Sequence, residues 1–156
     1  MDQEISALIA ELTDVLKELF EDDPVIALAG AHAKGTADKS SDLDIFLFGR
    51  DLKPLAFRQK RIESICDSGC VPFVSETLDL PWGGSADFTY QGIKVETVLR
   101  TIAQTEQAIA RCLEGDFEII PQTWTSNGYY TYIYLSEMRF LKPIHDPDGW
   151  LARMKQ

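Results

Sequence analysis

"GAHAKGTADKSSDLDIFLF", residues 30–48, passes from a glycine through a small, polar, lysine-bearing stretch into two aspartates that alternate with leucine and isoleucine. Successive side chains of a β-strand point to opposite faces. Read as a strand, Leu43, Ile45 and Leu47 therefore share one face, while Asp42, Asp44 and Phe46 share the other. The run Val25–Ala29 before Gly30 is apolar and short, as a buried first strand requires. Residues 31–41 have room for one helical turn and a loop, but not for the long crossover that joins parallel strands. The two strands are therefore expected to be antiparallel neighbours.

Outward from this pair, Ile5, Leu8, Ile9, Leu12, Val15, Leu16, Leu19 and Phe20 recur at spacings that predict an amphipathic helix closed by Asp22-Asp23-Pro24. A second helix is predicted from Pro54 through Leu55–Ile65, ending near Ser68-Gly69. Val71–Leu80 offers a further strand interrupted by Pro72 and Pro81. Phe88–Tyr90 and Ile93–Leu99 read as a hairpin turning at Gly92. Thr101–Leu113 reads as a helix. Tyr129–Leu141 mixes tyrosines and β-branched residues with the helix formers Leu135, Glu137, Met138 and Arg139, so its pattern fits both states. Trp150, Leu151 and Met154 predict a short last helix. There is no internal repeat.

The chain has 156 residues, 45% of them hydrophobic and 26% charged, which suits one domain over residues 1–156 with a single core. Its formal net charge of −10 argues against an extended nucleic-acid partner. A single nucleotide remains compatible, because a divalent cation screens its phosphates from local carboxylates. Cys66, Cys70 and Cys112 have no zinc-type spacing and are read as reduced thiols. The acidic start MDQEISALIAELTDVL lacks a basic leader, and no apolar run approaches a membrane span, so the expected location is the cytoplasm, with no membrane partner.

Two carboxylates at i and i+2 of a strand lie about 6.5 Å apart on one face. Like charges held so close repel unless a cation sits between them. Oxygen-only ligands suit Mg²⁺ or Mn²⁺, which completes its shell with water and substrate phosphate. Glu96, within "IKVETVL", supplies a third carboxylate if its strand lies beside Asp42–Phe48. The plainer reading of the aspartates is a solvated strand end, and of Glu96 an exposed sheet face.

The stretch resembles the glycine-serine pair, spacer and Asp-x-Asp motif of the nucleotidyltransferase superfamily, which includes DNA polymerase beta and the aminoglycoside and lincosamide nucleotidyltransferases. "PWGGSADFTYQGIKVETVLR" and "EMRFLKPIHDPDGWLARMK" are similar to uncharacterised bacterial proteins of that type. The resemblance implies an α+β fold, a nucleotidyltransferase-like mixed sheet flanked by helices. It implies Asp42, Asp44 and Glu96 as catalytic, metal-binding residues, with Glu96 also a candidate proton acceptor. It places Gly30, Ala31, Lys34 and Ser41 against the nucleotide, ATP first among the NTPs. The implied reaction moves a nucleoside monophosphate from an NTP to a hydroxyl acceptor, a small molecule or a protein as in toxin–antitoxin systems, and releases pyrophosphate.

Two residues depart from the family pattern. Ala31 stands where the motif has serine, removing a phosphate hydrogen bond of about 1.5–3 kcal/mol, and Glu96 stands where aspartate is usual. Both favour, as the alternative, an impaired module that binds a nucleotide or a partner without transfer. Antibiotic-modifying relatives add a C-terminal helical domain around the acceptor, for which this chain leaves little room; a homodimer partner and a natural C-terminal domain that this sequence lacks are the two ways to complete the acceptor site. His32 is expected as a polar loop residue and His145 as part of a structural turn beside Asp146. Glu137 is a weaker candidate for an acceptor-side base. Trp82 and the tyrosines Tyr129, Tyr130, Tyr132 and Tyr134 fit either ligand stacking or core packing.

Overall fold

The alternation that opens the sequence reading becomes the centre of a two-faced sheet. A computed structural model describes residues 3–156. In it β1 (Val25–Leu28) pairs antiparallel with β2 (Leu43–Gly49), joined by the short α2 (Gly30–Lys34) and a polar loop, as expected. β5 (Ile93–Thr101) lies on the other side of β2 and runs parallel to it. With β3 (Phe73–Val74), β4 (Ala86–Tyr90) and β8 (Lys142–His145) these form one mixed sheet in the order β3-β4-β5-β2-β1-β8. The fold is α+β, as the sequence implied.

Each face of the sheet carries its own core. Leu43, Ile45 and Leu47 point to the face covered by α1 (Gln3–Lys17) and α3 (Leu55–Glu63), where Leu8, Leu12, Leu16 and Ile62 close against them. Phe46 and Phe48 point the other way, into Ile109 of α4 (Ile102–Leu113), Tyr134 and Met138 of α5 (Ile133–Phe140) and Trp150 and Leu151 of α6 (Trp150–Met154). Burying each such side chain stabilises by about 1.5–3 kcal/mol. Thr101 caps α4, its hydroxyl accepting from the Gln104 N–H at 3.0 Å.

The β4–β5 hairpin turns through Gln91 and Gly92, both at positive φ, the conformation a tight two-residue turn demands and glycine adopts without strain. Asp67 fastens it by accepting from the N–H groups of Gln91 and Gly92, each at 2.8 Å.

The structure corrects one expectation and fills in others. Val71–Leu80 yields only the two-residue β3, because Pro72 withholds an N–H and the chain beyond Val74 turns away. Tyr129–Leu141 is not one element: Tyr129–Tyr130 is β7, paired with β6 (Ile119–Ile120) in a separate two-stranded sheet, and α5 follows. Lys142–His145 is an edge strand that the sequence reading passed over. His145 does lie in a structural setting, but its Nε2 meets Asp23 at 2.8 Å, while Asp146 accepts from the N–H of Leu151 at 3.2 Å. Cys66 and Cys70 lie beyond the end of α3, and all three cysteines are free thiols. Among the described residues no helix is long and apolar enough to cross a membrane.

One buried cation ties α3 to the chain after β3. Arg58 is 1% exposed, and its guanidinium donates to the carbonyls of Lys53 (2.7 Å), Ser75 (2.6 Å) and Glu76 (3.2 Å). Arg58→Met keeps the apolar stem but leaves those carbonyls bare, which should cost about 3 kcal/mol. A loss of unfolding free energy below about 1 kcal/mol in denaturant titration would show that water replaces the guanidinium.

Candidate active site

The site forms where β1 ends, α2 begins, and β2 and β5 start. Asp42 immediately precedes β2 and Asp44 lies within it, on the face that carries Phe46 further along. The parallel register sets Asp44 directly opposite Glu96. Asp42, Asp44 and Glu96 are thereby gathered at one end of the sheet, where α5 reaches Asp44 through Glu137 and Phe140.

Gly30 is built into this arrangement. Its φ is +58°, and a Cβ placed on it would lie 1.8 Å from Asp44 Oδ2. The first turn of α2 thus comes so near the carboxylate that only glycine fits, both for backbone conformation and for space. The Ala29 N–H also donates to the Asp44 carbonyl at 2.9 Å, locking the end of β1 to β2.

The electrostatics follow from this placement. Burial first, then the negative charges of Glu96 and Asp42, push the Asp44 carboxyl above its ordinary range. Asp87 of β4, one position from the Phe88–Val95 pair, faces the same side. Its carboxyl is also raised, chiefly by burial, with Glu96 contributing, although it accepts from the Thr97 N–H at 3.0 Å. Carboxylates of three adjacent strands therefore form a row.

The comparisons with known proteins bear on this arrangement. The nucleotidyltransferase domain family model matches residues 9–106. The chain belongs to the nucleotidyltransferase domain family. The match spans the helix, both strands of the motif and the strand that bears Glu96. Comparison with curated proteins returned no match. Nucleotidyl transfer is the family's general activity, and its members generally use divalent metal ions.

Whether this nucleotidyltransferase domain has the residues for a metal ion can be judged from its own side chains. The donors are all oxygen, as Mg²⁺ or Mn²⁺ prefers, and Asp44 carries the mark of uncompensated negative charge. Yet among the described residues no three acidic, histidine or cysteine side chains stand together closely enough to hold a metal ion. Lys94 stands among the carboxylates. Its ammonium pairs closely with Glu96 and reaches Asp42 Oδ2 at 3.5 Å, so a tethered cation draws on two of the three carboxylates. The donor chemistry suits a divalent ion, while Lys94 engages two of the three carboxylates.

Lys94 is more than half exposed, and each of its pairs is worth little in water. Lys94→Met should accordingly tighten Mg²⁺ binding by roughly three- to tenfold, as judged from weak surface pairs. The metal-free variant should also melt slightly earlier than the native protein, because the carboxylates then lie unscreened. Calorimetric Mg²⁺ titration with parallel melting curves checks both. Weaker metal binding in the variant would mean that Lys94 organises the site rather than competes for it.

The remaining sequence-predicted residues divide between two cavities. Gly30 and Lys34 line a pocket of about 320 Å³ with Asp44, Phe46, Glu137 and Phe140. The Lys34 ammonium lies 5.2 Å from the centre of the Phe140 ring. Ser41 is elsewhere: its hydroxyl donates to Asp38 and accepts from the Asp38 N–H in an exposed turn. That turn borders the other cavity, with His32, Lys39 and Lys142. Ala31 lies half-buried in α2. His32 is more than a loop residue, since its Nε2 is buried without a hydrogen-bond partner among the described residues, and its charge when protonated favours the Asp44 carboxylate.

Sequence reasoning missed Asp87, Lys94 and Arg100. "SADF" does show an acid between two apolar residues, and "IKVE" a lysine two places before Glu96, so both signals exist once strand register is known. Arg100 gave none. It is 3% exposed and donates to Glu137 Oε2 at 2.8 Å, a pairing across 37 residues.

Proposed function

We propose that the chain is a Mg²⁺- or Mn²⁺-dependent nucleotidyltransferase that moves a nucleoside monophosphate from an NTP to a hydroxyl acceptor and releases pyrophosphate. The observation that carries this reading is the Asp44–Glu96 register, flanked by Asp42 and set against a glycine that no larger residue can replace. Asp42, Asp44 and Glu96 are the residues to hold the metal. A divalent ion bound there would neutralise charge on the transferring phosphoryl group and on the leaving pyrophosphate.

The chain's own groups supply the rest. Backbone N–H groups at Gly30 and Ala31 and the ammonium of Lys34 receive the triphosphate on the α2 side of Asp44. Ser41, tied into the Asp38 turn, is at most an outer contact for it. The acceptor is then left the opposite side, over β5 and β4, where Glu96 is placed to take the hydroxyl proton. Residues 1–156 act as one catalytic domain, and the acceptor is a small molecule or a protein hydroxyl. A homodimer partner that completes the acceptor site belongs to this reading too. ATP is the first donor to test.

A second reading has specific support. Ala31 lacks the motif hydroxyl, and Lys94 engages Asp42 and Glu96, so a module that binds nucleotide without transferring it also fits. Incubation with α-labelled NTP and Mg²⁺, against a panel of hydroxyl compounds and cell-extract proteins, separates the two. Label on a small molecule or a protein band supports transfer. Metal-dependent binding with no transferred label supports the binding module.

A further inference from the structure

The pocket beside Asp44 contains more than the triphosphate needs. From Gly30, Lys34 and Asp44 it extends under α5, where Phe46 and Phe140 give it apolar walls and Glu137 a second carboxylate. Phe140 is 50% exposed, an aromatic face turned to solvent at the rim of a cavity. A pocket of this size, largely apolar with a few fixed polar groups, is the ordinary form of a small-ligand site.

Glu137 is held with unusual care. Arg100 Nη1 donates to its Oε2 at 2.8 Å, and Arg100 is itself only 3% exposed. The guanidinium lies 3.8 Å from the centre of the Tyr134 ring and donates to the Trp82 carbonyl at 3.3 Å and the Tyr129 hydroxyl at 3.4 Å. Burying a guanidinium is costly unless it is paired and hydrogen-bonded. Here its partners also fix one carboxylate oxygen, so Oε1 remains as the acceptor. Among the described residues Oε1 has no hydrogen-bond partner. The neighbouring Ser136 hydroxyl donates to the Ile133 carbonyl.

We propose that Glu137 reads the nucleobase of the bound NTP, selecting bases with an amino group where their counterparts carry a carbonyl. The inference rests on the nucleotide-binding reading above. With the triphosphate at Gly30 and Lys34, the base extends along the pocket toward α5 and lies against Phe140. An ionised carboxylate only accepts hydrogen bonds. Adenine and cytosine present an amino donor at their six- and four-positions; hypoxanthine and uracil present a carbonyl oxygen there, which the carboxylate repels, and carry their N–H on the adjacent ring nitrogen.

The test uses this donor logic. Affinities for ATP against ITP, and CTP against UTP, are measured by calorimetry with Mg²⁺, in the native protein and in Glu137→Gln. Each pair exchanges the amino group for a carbonyl and the lone pair of the adjacent ring nitrogen for an N–H, so only a carboxylate oxygen held at the amino position favours the first member. The native protein should prefer the amino member by about tenfold to a hundredfold, the range for a hydrogen bond to a charged group. In Glu137→Gln, Arg100 can only donate, so the amide must turn its oxygen toward Arg100 and its NH₂ into the pocket. The preference should therefore invert toward ITP and UTP. A Glu137 that merely balances the charge of Arg100 would alter melting temperature without inverting either ratio.

Equal native affinities within both pairs, with binding still dependent on Mg²⁺ and Asp44, would overturn the proposal and leave the nucleotide-binding reading standing. No binding of any NTP would overturn both. The native ratios alone decide the matter if Glu137→Gln folds poorly.

Discussion

Replacing Asp44 by asparagine should lower nucleotidyl transfer by about a thousandfold, the scale seen when one preorganised electrostatic group is removed from a reacting centre. Metal-supported nucleotide affinity should fall with it. The fold should not suffer. In the native protein the Asp44 carboxyl is raised by burial and by the charges of Glu96 and Asp42, so ionised Asp44 is held in an unfavourable setting. A neutral side chain of the same shape relieves that repulsion, and the variant should melt at the same temperature as the native protein or slightly above it. Such opposition of stability and function is characteristic of catalytic sites. A variant that lost activity and stability together would instead mark Asp44 as a structural residue.

Gly30→Ala should separate the same two quantities from the backbone side. At φ +58° a residue with a Cβ costs about 1 kcal/mol, which lowers melting by about 2–4 °C in a chain of this length. The larger consequence is local. The new methyl would lie 1.8 Å from Asp44 Oδ2 and 2.7 Å from its Cγ, so the carboxylate must swing away. A metal ligand displaced by that much loses its alignment with the transferring group, and a misplacement of about 1 Å costs on the order of a hundredfold in rate. Steady-state transfer assays and melting curves on the one variant check both parts. Near-native activity would show that Asp44 has another productive position and that the close approach of α2 serves packing alone.

Much of this centre could be read from the chain. The alternation at Asp42–Phe46, the short loop after Gly30 and the charged position in "IKVETVL" each carry a local physical signal, and strand periodicity turns them into shared faces. The parallel register that sets Asp44 opposite Glu96 was legible only as a condition, because strand order depends on long-range packing. Lys142–His145 was missed because Pro143 argues against a strand; it is tolerated here on the edge beside β1, where only one side of the strand is paired. The tyrosine-rich segment misleads because Tyr129 and Tyr134 are buried for different reasons, one in a short hairpin and one on a helix. The Arg100–Glu137 pair had no sequence signal at all. Its partners meet only after α5 packs on the sheet.

The central claim is that the Asp44 end of the sheet binds a nucleoside triphosphate through a divalent metal ion. Calorimetric titration of ATP, GTP, CTP and UTP, with and without Mg²⁺, into the native protein and Asp44→Asn tests it most directly. The claim predicts binding that requires Mg²⁺ and is lost in the variant. Failure of every NTP to bind, or binding indifferent to both Mg²⁺ and Asp44, would contradict it.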